Sequence, residues 1–349
     1  MPLKITTIGD GAMATVCSQI LAGKHSASAP VEVVIWGRDA ARLKEWDTAR
    51  ENKRYLPGIK LAPYLKFDGD PATAFANASY ILCAVPTQYI RTTLTALKPH
   101  ISPDIPVISV SKGIEISTLR RPSEIIIEVL GSHEVCAASG PNIAGEMARK
   151  LPATMVVAAE SCEGPGAPHM ADEPLAKQVQ EMMTTPALRV YRNADLLGVE
   201  LAGALKNVIA IAAGILDGMA AGHNAKAALL TRGLVEITRL GVTLGAQAET
   251  FAGLAGLGDL VTTCFSPEGR NRKFGERIGR GEKAQDVLDT IVGVVEGMPT
   301  CKSVVALAKS AQIEMPICEG LYAVLFEGRD PRSQLADLMS RELKREIAG

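Results

Sequence analysis

The sequence predicts an α/β fold in which a doubly wound, mostly parallel sheet is followed by an all-α C-terminal domain. Two observations carry that expectation. Over the first half, short β-rich runs alternate with helical windows, and several runs are apolar throughout, as in parallel strands covered on both faces. From about Asn193 the strand signals stop, and long stretches rich in alanine, leucine and glycine replace them. The boundary is placed at 192, dividing the 349 residues into 1–192 and 193–349, each long enough for its own core.

The expected strands are Leu3–Ile8, Val31–Trp36, Ser79–Val85, Pro106–Ser111, Val135–Ser139 and Ala153–Ala158, with a weaker one at Leu188–Tyr191. Helical windows lie between them: one starts near Ala12, and others cover Asp70–Ala78 and Thr118–Leu130. Such alternation folds through right-handed crossovers. The stretch Glu160–Glu173, with Gly, Pro and acidic residues, is expected as a surface loop. In the second half the expected helices cover 194–219, 224–245, 247–256, 271–280, 284–291, 299–312 and 316–327.

Composition narrows the function. The chain is 47% hydrophobic and 21% charged, with a net charge of −1 and basic residues spread along its length. That pattern lacks the electrostatic footprint of a nucleic-acid or anionic-membrane binder. Seven cysteines are scattered without a CxxC and read as free thiols in a reducing compartment; the five histidines show no ligand spacing, so no metal is expected. No basic leader or cleavage site precedes the first strand, and Glu200, Lys206 and Asp217 interrupt the most apolar later segment, Leu196–Met219. A membrane span tolerates such charges poorly, and the expected location is the cytoplasm.

Residues 5–14 read Ile-Thr-Thr-Ile-Gly-Asp-Gly-Ala-Met-Ala, a G-x-G-x-x-A turn between a strand and a helix. Gly9 permits the tight turn, Gly11 lets backbone approach a pyrophosphate, and Ala14 allows close packing of helix on strand. The helix start supplies free N–H groups and partial positive charge for phosphates. The expectation is a Rossmann-type site for NAD or NADP. Beyond the second strand, Arg38 suits a 2′-phosphate and favours NADP or dual use, while Asp39 is either the ribose acid or a helix cap.

Three polar signals follow. Lys206 and Asn207 stand inside an apolar, small-residue helix. Lys206 is either a lysine snorkelling at a domain interface or a proton donor aimed into a cleft, its pKa lowered by burial. Lys112, in Ser-Lys-Gly after the fourth strand run, lies where ligands bind in open α/β sheets, although surface lysines are common there. Gly256-Leu-Gly258-Asp259 is read as a turn between helices, a capping motif or part of an anion pocket. The pocket reading takes in the Thr262-Thr263 pair and Gly269-Arg270-Asn271, which opens a new helix. Asp259 is placed to orient Lys206, and Cys264 reads as a packed thiol.

In order along nearly the whole chain, several segments make the sequence similar to the NAD(P)-dependent glycerol-3-phosphate dehydrogenases. They are the glycine turn, Ser111-Lys112-Gly113, Gly140-Pro141-Asn142-Ile143-Ala144, Gly203-Ala204-Leu205-Lys206-Asn207, Gly258-Asp259-Leu260 and Gly269-Arg270-Asn271-Arg272. The resemblance implies Lys206 as general acid/base, with Lys112 and Asp259 completing the polar cluster. It implies that Asn142, Thr263, Arg270 and Asn271, with Gly140 and Asn207 in the same motifs, hold a triose phosphate. Ala12, Met13, Arg38, Lys112, Ala144, Arg270, Val294 and Glu296 fall where such enzymes touch the dinucleotide. It further implies reversible hydride transfer between NAD(P)H and dihydroxyacetone phosphate, supply of sn-glycerol 3-phosphate for glycerophospholipid synthesis, and a homodimer. Ala14, Asn142, Gly269 and Arg38 depart from patterns common among relatives, and Arg38 leaves coenzyme choice open. The rival readings are a two-domain dehydrogenase of β-hydroxy or keto acids, which also uses a helix lysine, and a non-catalytic dinucleotide sensor.

Overall fold

Eight strands build one sheet, and its order fixes where a ligand can enter. A computed structural model describes residues 2–159, 174–343 and 345; the expected 160–173 loop lies outside the described residues. The strands are β1 (Leu3–Ile8), β2 (Val31–Trp36), β3 (Leu65–Asp68), β4 (Tyr80–Cys83), β5 (Val107–Ser109), β6 (Val135–Ser139), β7 (Ala153–Ala159) and β8 (Leu188–Asn193). They pair in the order β3-β2-β1-β4-β5-β6-β7-β8. All neighbours are parallel except β6 and β7, so the last two strands run against the other six. The strand order reverses direction between β1 and β4, and the crevice outside their carboxyl ends is the ligand position of such sheets.

Helices α1 (Ala12–Ala22), α2 (Ala40–Ala49), α3 (Pro71–Phe75), α4 (Thr87–Leu97), α5 (Pro122–Leu130), α6 (Ala144–Ala148) and α7 (Pro174–Met183) accompany the strands. The helical half comprises α8 (Leu196–Gly218), α9 (His223–Thr243), α10 (Ala248–Ala252), α11 (Asp259–Phe265) and α12 (Arg270–Gly279). It continues with α13 (Ala284–Thr290), α14 (Gly297–Ser310), α15 (Pro316–Phe326) and α16 (Pro331–Met339).

Several expectations need correction. Strand β3 was not expected, because Leu-Lys-Phe-Asp is too short to stand out as a run. The helix expected from Thr118 begins only at Pro122, since the residue before a proline is kept out of the helical region. The expected helix 247–256 breaks at Gly253, and residues Leu254–Gly258 form a π-helical turn that runs directly into α11. The Gly-Leu-Gly-Asp segment is therefore helical, not a turn between helices. The polar helix α16 was not expected; Asp330 caps it, accepting from the Ser333 N–H at 2.8 Å.

Helix α8 is the core of the helical half. It is the one described helix long and apolar enough to cross a membrane, but 94% of that stretch is buried inside the protein. Asp195 caps its start, accepting from the Gly198 N–H at 2.8 Å. Near that start Glu200 accepts from the Ser123 N–H at 2.9 Å and from Arg121 at 2.5 Å, docking α8 against α5. Farther along, α8 and α12 touch backbone to backbone. A Cβ on Gly214 or Gly218 would overlap carbonyls of Arg272 or Glu276, and one on Gly275 or Gly279 would overlap carbonyls of Ile211 or Ile215. Two glycines four residues apart on each helix make that approach possible.

Gly275→Ala therefore forces a methyl against a carbonyl that cannot rotate away. Its expected cost is about 1–3 kcal/mol, a loss readable by urea denaturation. Gly253→Ala, whose methyl would sit 3.4 Å from its nearest neighbour, serves as the control. If both variants unfold together with the parent protein, the backbone contact is not a constraint.

Candidate active site

The crevice begins at the glycine turn. Gly9 adopts φ +117, and a Cβ there would lie 2.8 Å from the Ala84 carbonyl oxygen at the end of β4. Only glycine meets both demands. Gly11 is the N-cap residue of α1, no side chain caps that helix, and a Cβ on Gly11 would point into open space. The turn thus offers uncapped N–H groups with room for a pyrophosphate, as a dinucleotide requires. Ala12, Met13 and Ala14 share the lining of this cleft of about 1720 Å³, together with Arg38, Ala144, Val294 and Glu296. Arg38 is exposed beyond the tip of β2. Asp39 is a helix cap: its carboxylate accepts from the Arg42 N–H at 3.0 Å at the start of α2.

At the other end of the cleft the expected polar residues converge. Lys206 on α8 donates to Asp259 Oδ1 at 2.9 Å and to Thr263 Oγ1 at 2.5 Å, both on α11. Lys112, after β5, donates to Asp259 Oδ2 at 2.7 Å, to Asn142 Oδ1 at 3.0 Å and to the Gly140 carbonyl at 3.1 Å. One carboxylate thus bridges two ammonium groups, leaving a net positive site. Burial drives the Lys206 pKa down to about 8; Asp259 opposes this and the Lys112 charge adds to it. Burial also raises the Asp259 pKa, but the Lys112 and Lys206 charges more than offset it, and the carboxyl is held below its ordinary value.

Gly140 does not line the cleft. It is buried behind the wall at φ +114 and reaches the site only through its carbonyl. Asn207 does line the cleft, with its amide bonded into the protein. Its amide donates to the Lys112 and Gly203 carbonyls at 3.2 and 3.3 Å and accepts from Asn271 at 2.9 Å. The Asn271 carbonyl oxygen in turn accepts from the Gly297 N–H at 3.0 Å, where α14 begins. This relay ties α8, α12 and α14 together beneath the lysine pair. Arg270 opens α12 at the cleft surface, with its guanidinium against Gly293, and no side chain caps that helix start. Uncapped N–H groups beside a guanidinium form an anion site.

Glu296 joins the two halves: its Oε1 accepts from the Thr87 N–H at 3.0 Å. Burial raises its pKa to about 7. Its Oε2 and the Thr87 hydroxyl are both buried without a hydrogen-bond partner, 2.5 and 2.6 Å from where a Cβ on Gly113 would stand. Glycine at 113 is what lets them in.

Sequence reasoning missed several residues. Asn52 is fully buried and donates to Thr15 Oγ1 at 2.8 Å and to the Asp10 carbonyl at 3.4 Å, bracing the glycine turn. Its segment also brings Tyr55 to the cleft. The local signal in that segment is the Pro57-Gly58 pair, which marks a turn and carries no sign of a ligand. Arg149 and Glu268 form an ion pair of 2.7 Å between the halves, and nothing local to either residue announced it. The six described cysteines are buried and none is in a disulfide, and no cluster of potential metal ligands occurs among the described residues.

Comparison with known proteins agrees with this layout. Models for the N-terminus and C-terminus of NAD-dependent glycerol-3-phosphate dehydrogenase match residues 4–164 and 195–336. A protein of Citrifermentans bemidjiense named glycerol-3-phosphate dehydrogenase [NAD(P)+] is 44% identical over 349 residues, covering 99% of each chain. One of the same name from Thermobifida fusca is 43% identical over 348 residues, again covering 99% of each. The crystal structure of glycerol-3-phosphate dehydrogenase from Coxiella burnetii superposes with a TM-score of 0.89 at 33% identity, covering 97% of this chain and 99% of that one.

The shared carboxylate makes a direct prediction. Asp259→Asn leaves two ammonium groups in one buried site without a counter-charge. The expected cost is about 3–5 kcal/mol of stability, with the Lys206 pKa falling below about 8. Denaturation and NMR titration of the lysine side-chain signals measure both effects. An unchanged Lys206 titration would mean that Asp259 does not hold its proton.

Proposed function

Because the chain belongs to the NAD-dependent glycerol-3-phosphate dehydrogenase family, we propose that this NAD(P)-dependent oxidoreductase reduces the C2 ketone of dihydroxyacetone phosphate, with Lys206 as general acid. The observation that carries the lysine role is the buried Lys206 ammonium, with a pKa of about 8, facing the cleft between the two halves. A group of that pKa gives up and regains a proton near neutral pH, as a carbonyl/alcohol interconversion requires.

When bound, the nicotinamide supplies or accepts the hydride. Lys206 delivers a proton to the developing alkoxide at C2, and Asp259 and Thr263 hold its Nζ in place. Lys112 adds fixed positive charge beside that oxygen. Arg270, with the start of α12, holds the phosphate, and Asn271 fixes α12 against α8 and α14, keeping ketone and lysine in register. Asn142 and Thr263 complete the substrate contacts. Gly9, Gly11, Ala12, Met13, Ala14, Arg38, Ala144, Val294 and Glu296 hold the dinucleotide. In the same reading the chain divides at 192, works as a cytoplasmic homodimer, and supplies sn-glycerol 3-phosphate for glycerophospholipid synthesis.

The test is the initial rate of NADH and NADPH oxidation with dihydroxyacetone phosphate, with dihydroxyacetone and a keto acid as controls. Oxidation should require the phosphate. As an acid, Lys206 must be protonated for reduction. Ketone reduction should therefore fall as pH rises through about 8, and oxidation of sn-glycerol 3-phosphate should rise over the same interval. Oxidation supported only by the keto acid would assign the chain to the rival substrate class.

Two variants separate the roles. Lys206→Ala should lower kcat by about 10²–10⁴-fold and leave NAD(P)H affinity intact. Arg270→Ala should raise the KM for the triose phosphate by about tenfold or more. A Lys206→Ala enzyme with turnover near that of the parent would remove Lys206 as the acid.

A further inference from the structure

At the adenosine end of the coenzyme crevice one arginine is held by two acids. Arg42 Nη1 donates to Asp10 Oδ2 at 2.5 Å and Nη2 donates to Asp39 Oδ2 at 2.8 Å. Asp10 stands between the two glycines of the turn after β1, and Asp39 stands just past the tip of β2. These strands are parallel neighbours in register, Ile8 opposite Trp36, so both carboxylates reach the same corner of the crevice. In this class of fold that corner takes the ribose of the adenosine, and an acid there hydrogen-bonds the free hydroxyls.

We propose that Arg42 is a specificity-determining residue: by engaging both acids it withholds them from the ribose and makes the pocket accept a 2′-phosphorylated dinucleotide. The proposal rests on the dehydrogenase reading above and deepens its coenzyme choice. Charge decides the matter. Arg38 and Arg42 balance Asp10 and Asp39; without Arg42 the same corner carries a formal charge of −1. Two bare carboxylates repel a phosphate dianion and accept hydrogen bonds from hydroxyls, so their release favours the unphosphorylated coenzyme. Arg38, exposed at the same tip and without a hydrogen bond or ion pair to a described residue, is then the cation that meets the 2′-phosphate.

Helix stability does not explain the arrangement. Arg42 lies in the first turn of α2, where the helix dipole disfavours a cation. Asp39 already caps the helix through the Arg42 N–H, a bond that needs no particular side chain at 42. What the arginine side chain adds is the link to Asp10 on a different strand.

The experiment is equilibrium binding, independent of turnover. NADPH and NADH are titrated by their fluorescence, and adenosine 2′,5′-bisphosphate and 5′-AMP by calorimetry, on the parent protein and two variants. Arg42→Met should lower the NADPH-to-NADH affinity ratio by about tenfold or more, with the bisphosphate and 5′-AMP following the same order. Asp10→Asn with Asp39→Asn keeps a capping side chain at 39 and frees Arg42 for the phosphate, so its ratio should rise. This second variant decides the matter if Arg42→Met does not fold. An unchanged ratio in a folded Arg42→Met protein, with both coenzymes weakened alike, makes Arg42 a structural clamp and overturns the proposal. So does a falling ratio in the double variant. A parent protein that binds neither coenzyme overturns the dehydrogenase reading and this proposal together.

Discussion

Asp259 holds two ammonium groups, and the rest of the site depends on that carboxylate. Burying three charges is tolerable only when every charge has a partner at hydrogen-bond distance. Here the partners come from three places: Lys112 from the end of β5, Lys206 from the middle of α8, and Asp259 from the first turn of α11. A shift of the sheet against the helical half would strand an unpaired charge in a buried pocket. The pairing thus sets a register between halves that apolar packing, being non-directional, does not specify. The π-helical turn at Leu254–Gly258 delivers Asp259 to this point, and irregular turns of that kind recur at functional sites.

Close backbone packing provides the second constraint. The glycines of α8 and α12 bring the two helices into direct contact, so the start of α12, with Arg270 and Asn271, keeps a set position relative to Lys206. The Asn207–Asn271–Gly297 relay extends the same control to α14, which carries Glu296 toward the coenzyme side at its own N-terminus. Each member of the relay is hydrogen-bonded to the next within the protein. Asn207 lines the cleft, and its amide bonds link Lys112 and Asn271 beside it.

The two ends of the cleft follow opposite electrostatic designs. Around Lys206 two cations share one acid, and the excess positive charge suits an alkoxide and a phosphate. Around Arg42 two acids share one cation, and the corner becomes neutral only when Arg38 is counted. Glu296, its pKa raised by burial, lines the same cleft with one oxygen unsatisfied.

Local pattern was enough to reveal much of this. The G-x-G-x-x-A turn after a strand, the apolar runs of the parallel strands and the long helices after Asn193 are short-range features. Lys206 and Asn207 were conspicuous because polar groups inside an apolar helix demand a partner. Features that depend on distant residues were not legible: the short edge strand β3, the reversed direction of β7, the break at Gly253, and the cross-links from Asn52 and Arg42. Lys112 and Asp259 are 147 residues apart, and no periodicity in either neighbourhood states that they meet. The sequence alone determined which residue types had to be buried and where a glycine turn leaves backbone N–H groups open to a ligand, because those follow from backbone sterics and desolvation. Only the tertiary structure decided which charge answers which, because pairing depends on distances of a few ångströms between segments that the chain keeps far apart.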